Sequence, residues 1–184
     1  GFGRIGRNIL RALEENHNRD FEIVRVNDLS KTDNLAHLLK YDSVHGRFNG
    51  SIESQGDILK VNEKKINVSS VSSLEDLNWS NDGIDIVMEC TGIFTYRDKS
   101  ADHIKAGAKR VLISAPGAGA DKTIVYGVNH KKLSANDKIV SNGSCTTNAL
   151  APIAKVLNDS FGIKNGFMTT IHAYTGDQPT LDTI

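Results

Sequence analysis

The strongest constraint on the fold lies in the first six residues, Gly1-Phe2-Gly3-Arg4-Ile5-Gly6. Three glycines at this spacing let a backbone turn tightly and then start a helix. Ile5, Ile9, Leu10 and Leu13 recur at helical spacing immediately afterwards. Residues 21–26 then read as a strand that ends in Asn27-Asp28. The remainder alternates. A short helix is predicted over 35–39. An antiparallel hairpin over 50–68 has Leu59, Val61, Ile66 and Val68 on one side and a turn at Glu63-Lys64. The apolar run 84–88 suits a strand buried on both faces. A helix over 101–106 can be capped by Gly107. Strands follow at 110–114, 123–128 and 139–141, then a helix over about 146–161 stopped by Gly162, with a kink predicted at Pro152. A last strand is predicted over 167–172.

Alternating strands and helices imply an α/β fold: a Rossmann-like, mostly parallel sheet with helices on both faces. The glycine pattern alone is weak evidence, because a plain tight turn gives the same letters. Its context strengthens it. A helix and a strand follow, and Asp28 lies 22 residues past Gly6, near the spacing of about 20 expected for a dinucleotide site. Gly1 and Gly3 allow close approach to a pyrophosphate. Gly6 allows close helix–strand packing, and the helix N-terminus attracts the phosphates. The Asp28 carboxylate can accept bonds from ribose hydroxyls and would repel a 2′-phosphate, which favours NAD over NADP. The chain opens on the loop and stops at Ile184 without a helix cap. It therefore reads as a fragment without its first strand and its C-terminal part, and the isolated fragment is expected to be inactive.

Composition removes several classes. Twenty-two Lys and Arg balance 22 Asp and Glu, whereas nucleic-acid and anionic-membrane binders need a basic excess. No apolar run reaches the roughly 18 residues of a membrane span. Two cysteines cannot form a disulfide framework, so a reducing, cytoplasmic setting is expected. His17, His37, His45, His103 and His130 show no ligand spacing, and no metal site is expected.

The two cysteines differ. Cys90 sits on an apolar strand and reads as a small buried hydrophobe. Cys145 lies in Ser141-Asn142-Gly143-Ser144-Cys145-Thr146-Thr147-Asn148, between a strand and a helix. A cysteine at a helix N-terminus has its thiolate stabilised by the dipole and by free N–H groups. The same groups, with Thr146, can hold an oxyanion. His172 ends the next strand, and a Cys–His pair is a standard way to activate sulfur.

These motifs resemble the phosphorylating, NAD-dependent glyceraldehyde-3-phosphate dehydrogenases, in a bacterial form. The resemblance covers Gly1 to Arg7, Val26-Asn27-Asp28-Leu29 and the run from His37 to Gly46. It also covers Thr91-Gly92, Phe94-Thr95, Ser114-Ala115-Pro116, Ser144 to Asn148 and His172-Ala173-Tyr174-Thr175. It implies a dinucleotide-binding domain over 1–144 and the start of an α+β catalytic domain over 145–184, in which Cys145 is the nucleophile and His172 its partner. It implies cofactor contacts at Gly1, Gly3, Arg4, Ile5, Gly6, Asp28, Thr91, Phe94 and Ser114. Ser144, Thr146 and Thr175 are implied to bind substrate phosphate or inorganic phosphate. The implied reaction is oxidation of glyceraldehyde 3-phosphate to 1,3-bisphosphoglycerate in glycolysis, through a hemithioacetal and a thioester on Cys145, by a homotetramer.

The chain departs from the family pattern in three places. Ser72 replaces an Arg near the adenine, Ala149 replaces a second Cys, and Gly143 replaces an Ala, the last two with little expected effect. Three alternatives stand beside this reading. An erythrose-4-phosphate dehydrogenase shares the thiol chemistry but carries Glu at position 28 and lacks the Tyr174-Thr175 pair. A cysteine hydrolase suits Cys145 and His172 but has no use for the glycine loop. A non-catalytic dinucleotide-binding fragment needs only the loop and Asp28.

Overall fold

The computed structural model describes residues 1–16 and 20–175. Helix α1 (Arg4–Glu15) starts directly from the glycine loop. Strand β1 (Arg25–Asn27) follows, then α2 (Thr32–Lys40) and a short antiparallel ribbon of β2 (Tyr41–Asp42) and β3 (Gly46–Arg47). The first sheet is completed by β4 (Ile52–Gln55), β5 (Ile58–Val61) and β6 (Lys64–Ser69), in the order β1-β6-β5-β4. β1 runs parallel to β6, and the other pairs are antiparallel.

Period-2 alternation determines which face of this sheet is buried. Leu59, Val61 and Ile66 are fully buried, and they pack with Phe2, Leu10, Val26, Leu35 and Leu39. The predicted hairpin is instead a three-stranded meander. Gly56-Asp57 makes the first turn, with Gly56 at φ +56°. The second turn is Asn62-Glu63, one residue earlier than expected, because Asn62 adopts the left-handed conformation, φ +53°. β1 is shorter than the strand predicted over 21–26. Its ladder runs only along Asn67–Ser69 of β6, and Phe21, 53% exposed, lies beyond that register.

The second sheet is wholly parallel, in the order β7-β8-β10-β9. It comprises β7 (Ile86–Glu89), β8 (Arg110–Ile113), β9 (Lys122–Thr123) and β10 (Ile139–Ser141). Helix α3 (Arg97–Lys105) crosses from β7 to β8. Just past it, Gly107 sits at φ +106°, where a Cβ would meet the Ser80 backbone nitrogen at 2.6 Å. Parallel strands linked through helices give the Rossmann-like architecture expected from the sequence.

Two predicted strands are corrected. The strand expected over 123–128 survives only as β9. The Val125 N–H goes to Asn129 Oδ1 at 2.7 Å, and the Val125 carbonyl accepts from Val128 and Asn129. A turn has therefore taken the groups a ladder would need. The strand predicted over 167–172 is an exposed segment without regular secondary structure, and among the described residues none pairs with it. Period alone cannot make a strand without a neighbouring edge. Helix α4 (Cys145–Phe161) forms as expected, with Pro152 inside it and Gly162 as its C-cap. None of its residues is buried.

Candidate active site

The glycine loop lies against the end of β7. A Cβ on Gly1 would come within 2.9 Å of Thr91 Cγ2, and one on Gly6 within 2.5 Å of the Gly1 carbonyl oxygen. Nothing lies within 4 Å of a Cβ on Gly3, which leaves that side of the loop open. Gly3 is the N-cap of α1 and offers no side-chain acceptor, so the first-turn N–H groups have no capping partner. That arrangement suits a phosphate.

At the end of β1, Asp28 Oδ2 accepts the Phe2 N–H at 2.7 Å, and Oδ1 accepts the Ser30 N–H at 2.9 Å. Burial works to raise its pKa, but these backbone donors outweigh it and hold the carboxyl below its usual range. The acid is thus ionised and clamped to the glycine loop, with lone pairs left for ribose hydroxyls. Gly1, Gly3, Gly6, Asp28, Thr91 and Phe94 line one cavity of about 830 Å³, which also reaches the open edges of β1 and β7. The residues present fit a dinucleotide: an open glycine turn, an uncapped helix start and a fixed carboxylate. Arg4, Ile5 and Ser114 lie outside that lining. Arg4 pairs with Asp42 at 3.0 Å, and the Ser114 N–H extends the β7–β8 ladder to the Glu89 carbonyl. Ser72, at the position of the family's usual Arg, lines the cavity.

The second cluster is built by β10 and α4. Ser141 is fully buried at the end of β10. Its hydroxyl donates to the Ala115 carbonyl at 2.7 Å and accepts from the Gly117 and Gly143 N–H groups, both at 3.0 Å. Gly143 sits at φ +71°. An Ala there would be strained, contrary to the expectation that the difference is nearly silent. Ser144 caps α4, accepting the Thr147 N–H at 2.9 Å. Asn148 reaches back to the carbonyls of Asn142 (2.7 Å) and Ser144 (2.9 Å). Together these bonds fix Cys145 at the first helical position.

Cys145 is exposed, and its Sγ lies 3.2 Å from His172 Nε2. The other ring nitrogen, Nδ1, donates to the Ala173 carbonyl. The hydrogen bond from His172 does most to lower the Cys145 pKa, and the Thr146 N–H and hydroxyl add to it against desolvation. Conversely, the Ala173 carbonyl and then Cys145 raise the pKa of His172. Both shifts favour the thiolate–imidazolium form of the pair over the neutral thiol and imidazole. Ser144 and Thr146 flank the sulfur, their hydroxyl oxygens 3.3 Å apart. Thr175 lies three residues past His172 on the same exposed segment. Cys90 contrasts with Cys145: burial pushes its thiol up.

Sequence reasoning missed Ser141, Asn148, Glu89 and His103. Ser141 and Asn148 bracket the cysteine octet, and their polar side chains at a strand end and one turn into a helix were the available signal. Among the described residues, no group of three or more His, Cys, Asp or Glu is placed to hold a metal ion. No helix among them is long and apolar enough to cross a membrane.

Comparison with known proteins gives two family matches. Residues 1–97 match the NAD binding domain of glyceraldehyde 3-phosphate dehydrogenase, and residues 144–184 match its C-terminal domain. The chain is 60% identical over 184 residues to a glyceraldehyde-3-phosphate dehydrogenase of Xanthobacter flavus, covering all of this chain and 55% of that protein. It is 58% identical to one from Cereibacter sphaeroides over the same shares. A Pseudomonas aeruginosa relative is 55% identical over 183 residues, 99% of this chain and 55% of its own length. The chain thus spans about half the length of the curated relatives it matches.

Proposed function

Because this chain belongs to the glyceraldehyde-3-phosphate dehydrogenase family, we propose that it carries the NAD site and the reactive thiol of an enzyme that oxidises and phosphorylates glyceraldehyde 3-phosphate. The observation that carries this reading is the 3.2 Å Cys145–His172 contact at the start of α4, in a chain that also holds the glycine loop and Asp28. NAD, when bound, supplies the two-electron acceptor.

The Cys145 thiolate attacks the aldehyde carbon, forming a C–S bond while the carbonyl oxygen takes the proton from His172 Nε2. His172, now neutral, removes that proton again as hydride leaves carbon, and a thioester remains on Cys145. Inorganic phosphate attacks the thioester carbon, the C–S bond breaks, and the thiolate returns with the acyl phosphate as product. Throughout, the Ala173 carbonyl holds Nδ1 protonated, so that Nε2 is the nitrogen that cycles. The N–H groups at the start of α4 and the Thr146 hydroxyl stabilise the developing oxyanion. Ser144, Thr146 and Thr175 bind the phosphates; Arg4, Ile5 and Ser114 join Gly1, Gly3, Gly6, Asp28, Thr91 and Phe94 around the cofactor. The same reading places the domain boundary at 144/145 and takes the whole enzyme as a cytoplasmic homotetramer of glycolysis.

The test is NADH formation by the full-length protein with glyceraldehyde 3-phosphate, NAD and phosphate. Turnover that requires all three supports the reading. Turnover without phosphate, or faster with erythrose 4-phosphate, contradicts it.

A further inference from the structure

Behind the turn from Thr91 to Phe94 lies a buried polar chain that the reaction above does not use. Trp79, Glu89 and His103 are all buried in an otherwise apolar part of the molecule, with His103 and Glu89 each 3% exposed. An indole N–H can only donate. Trp79 Nε1 donates to His103 Nδ1 at 3.1 Å, so Nδ1 is the acceptor and Nε2 carries the proton. His103 Nε2 then donates to Glu89 Oε2 at 2.8 Å. The other oxygen, Glu89 Oε1, accepts both the N–H of Thr91, at 2.7 Å, and its hydroxyl hydrogen. The Thr91 oxygen in turn accepts the Ile93 N–H at 3.0 Å. From α3, Ser100 donates to the Phe94 carbonyl at 2.6 Å.

From Trp79 on one side and Ile93 on the other, the donors of this chain converge on Glu89. A carboxylate here is costly to bury and would be replaceable by an apolar side chain if packing were its only task. What it does instead is hold both donors of Thr91, the residue that the glycine loop touches: a Cβ on Gly1 would lie 3.0 Å from the Thr91 Cα and backbone nitrogen. Asp28 ties down the other side of the loop through Phe2. The loop is thus gripped between two carboxylates, one at the end of β1 and one at the end of β7.

We propose that Glu89, oriented by Trp79 and His103, is a positioning residue for the dinucleotide: it fixes Thr91 against the glycine loop and thereby sets NAD affinity. This rests on the NAD-binding reading above. Polarity makes it testable. In Glu89→Gln the amide must face a donor with a donor, either at His103 Nε2 or at Thr91, while Trp79 blocks the other His103 tautomer.

The experiment measures NAD affinity by calorimetry, Cys145 alkylation by iodoacetamide without NAD, and melting temperature, all on the full-length protein. Glu89→Gln is expected to weaken NAD binding about tenfold or more, the scale of a lost charge-assisted hydrogen bond, with the alkylation rate within about twofold. Adding Trp79→Phe frees the His103 tautomer and is expected to recover at least about threefold of the loss, a rescue that a packing role does not give. If Glu89→Gln does not fold, Glu89→Asp keeps the charge but cannot reach both His103 and Thr91, and is expected to weaken binding about fivefold. Unchanged NAD affinity in the folded variant, or no rescue by Trp79→Phe, overturns the proposal alone. Absence of NAD binding by the unsubstituted protein overturns the reading beneath it as well.

Discussion

Among the described residues, the three-stranded meander buries its large apolar side chains and helix α4 leaves its own exposed. Leu59, Val61 and Ile66 are fully buried. Leu150, Ile153, Val156 and Phe161 on α4 are exposed, Phe161 by 84%. The region of the glycine loop is therefore fixed by a core, and the region of Cys145 by polar bonds from Ser141, Ser144 and Asn148. On the proposed reading, each region presents one half of the chemistry. Affinity for the dinucleotide should respond to changes in the first region, and reactivity of the thiol to changes in the second.

Four substitutions break that comparison, in order of expected effect. Cys145→Ser in the full-length protein should lower turnover by at least about a thousandfold while leaving NAD affinity nearly unchanged, because it removes the nucleophile and touches nothing in the cofactor cavity. Steady-state kinetics beside calorimetry check this; activity within tenfold of the parent would remove Cys145 from its role. Leu59→Ala in the 184-residue chain should destabilise it by about 2–5 kcal/mol, the usual cost of a buried leucine, read by denaturant unfolding. Asp28→Ala should reduce the preference for NAD over NADP by about 1–2 kcal/mol, the scale of one charge-assisted hydrogen bond. The ratio of kcat/KM for the two cofactors measures it, and an unchanged ratio would separate Asp28 from the site. Ile153→Ala in the same chain should change stability by no more than about 0.5 kcal/mol, as for other exposed positions. A loss equal to that of Leu59→Ala would show that α4 packs as the meander does.

Legibility in the sequence follows the same division. Where a period-2 or 3.6 pattern met a partner, as in β5, β6, α1 and α3, the residues alone indicated the element. The glycine spacing and Asp28 pointed to residues that line one cavity, because backbone approach and charge are local properties. The segment 167–172 has the composition of a strand but pairs with no strand among the described residues, and pairing is a non-local property that composition does not carry. At 125–129, an Asn129 side chain diverted the backbone from a ladder. His103 was unreadable for a related reason. Its partners Trp79 and Glu89 lie 24 and 14 residues away and meet it only through the fold.

The central claim is that Cys145 and His172 form a thiolate–imidazolium pair poised for attack. It is tested most directly by the pH dependence of Cys145 alkylation, followed peptide by peptide so that the half-buried Cys90 is counted separately. The lowered Cys145 pKa means that the thiolate persists as pH falls below the ordinary thiol value of about 8.5. Alkylation of Cys145 should therefore stay fast there and drop only below its own lowered pKa. In His172→Asn the midpoint should move up toward the ordinary thiol value. The same midpoint in both proteins, at the ordinary thiol value, would contradict the account.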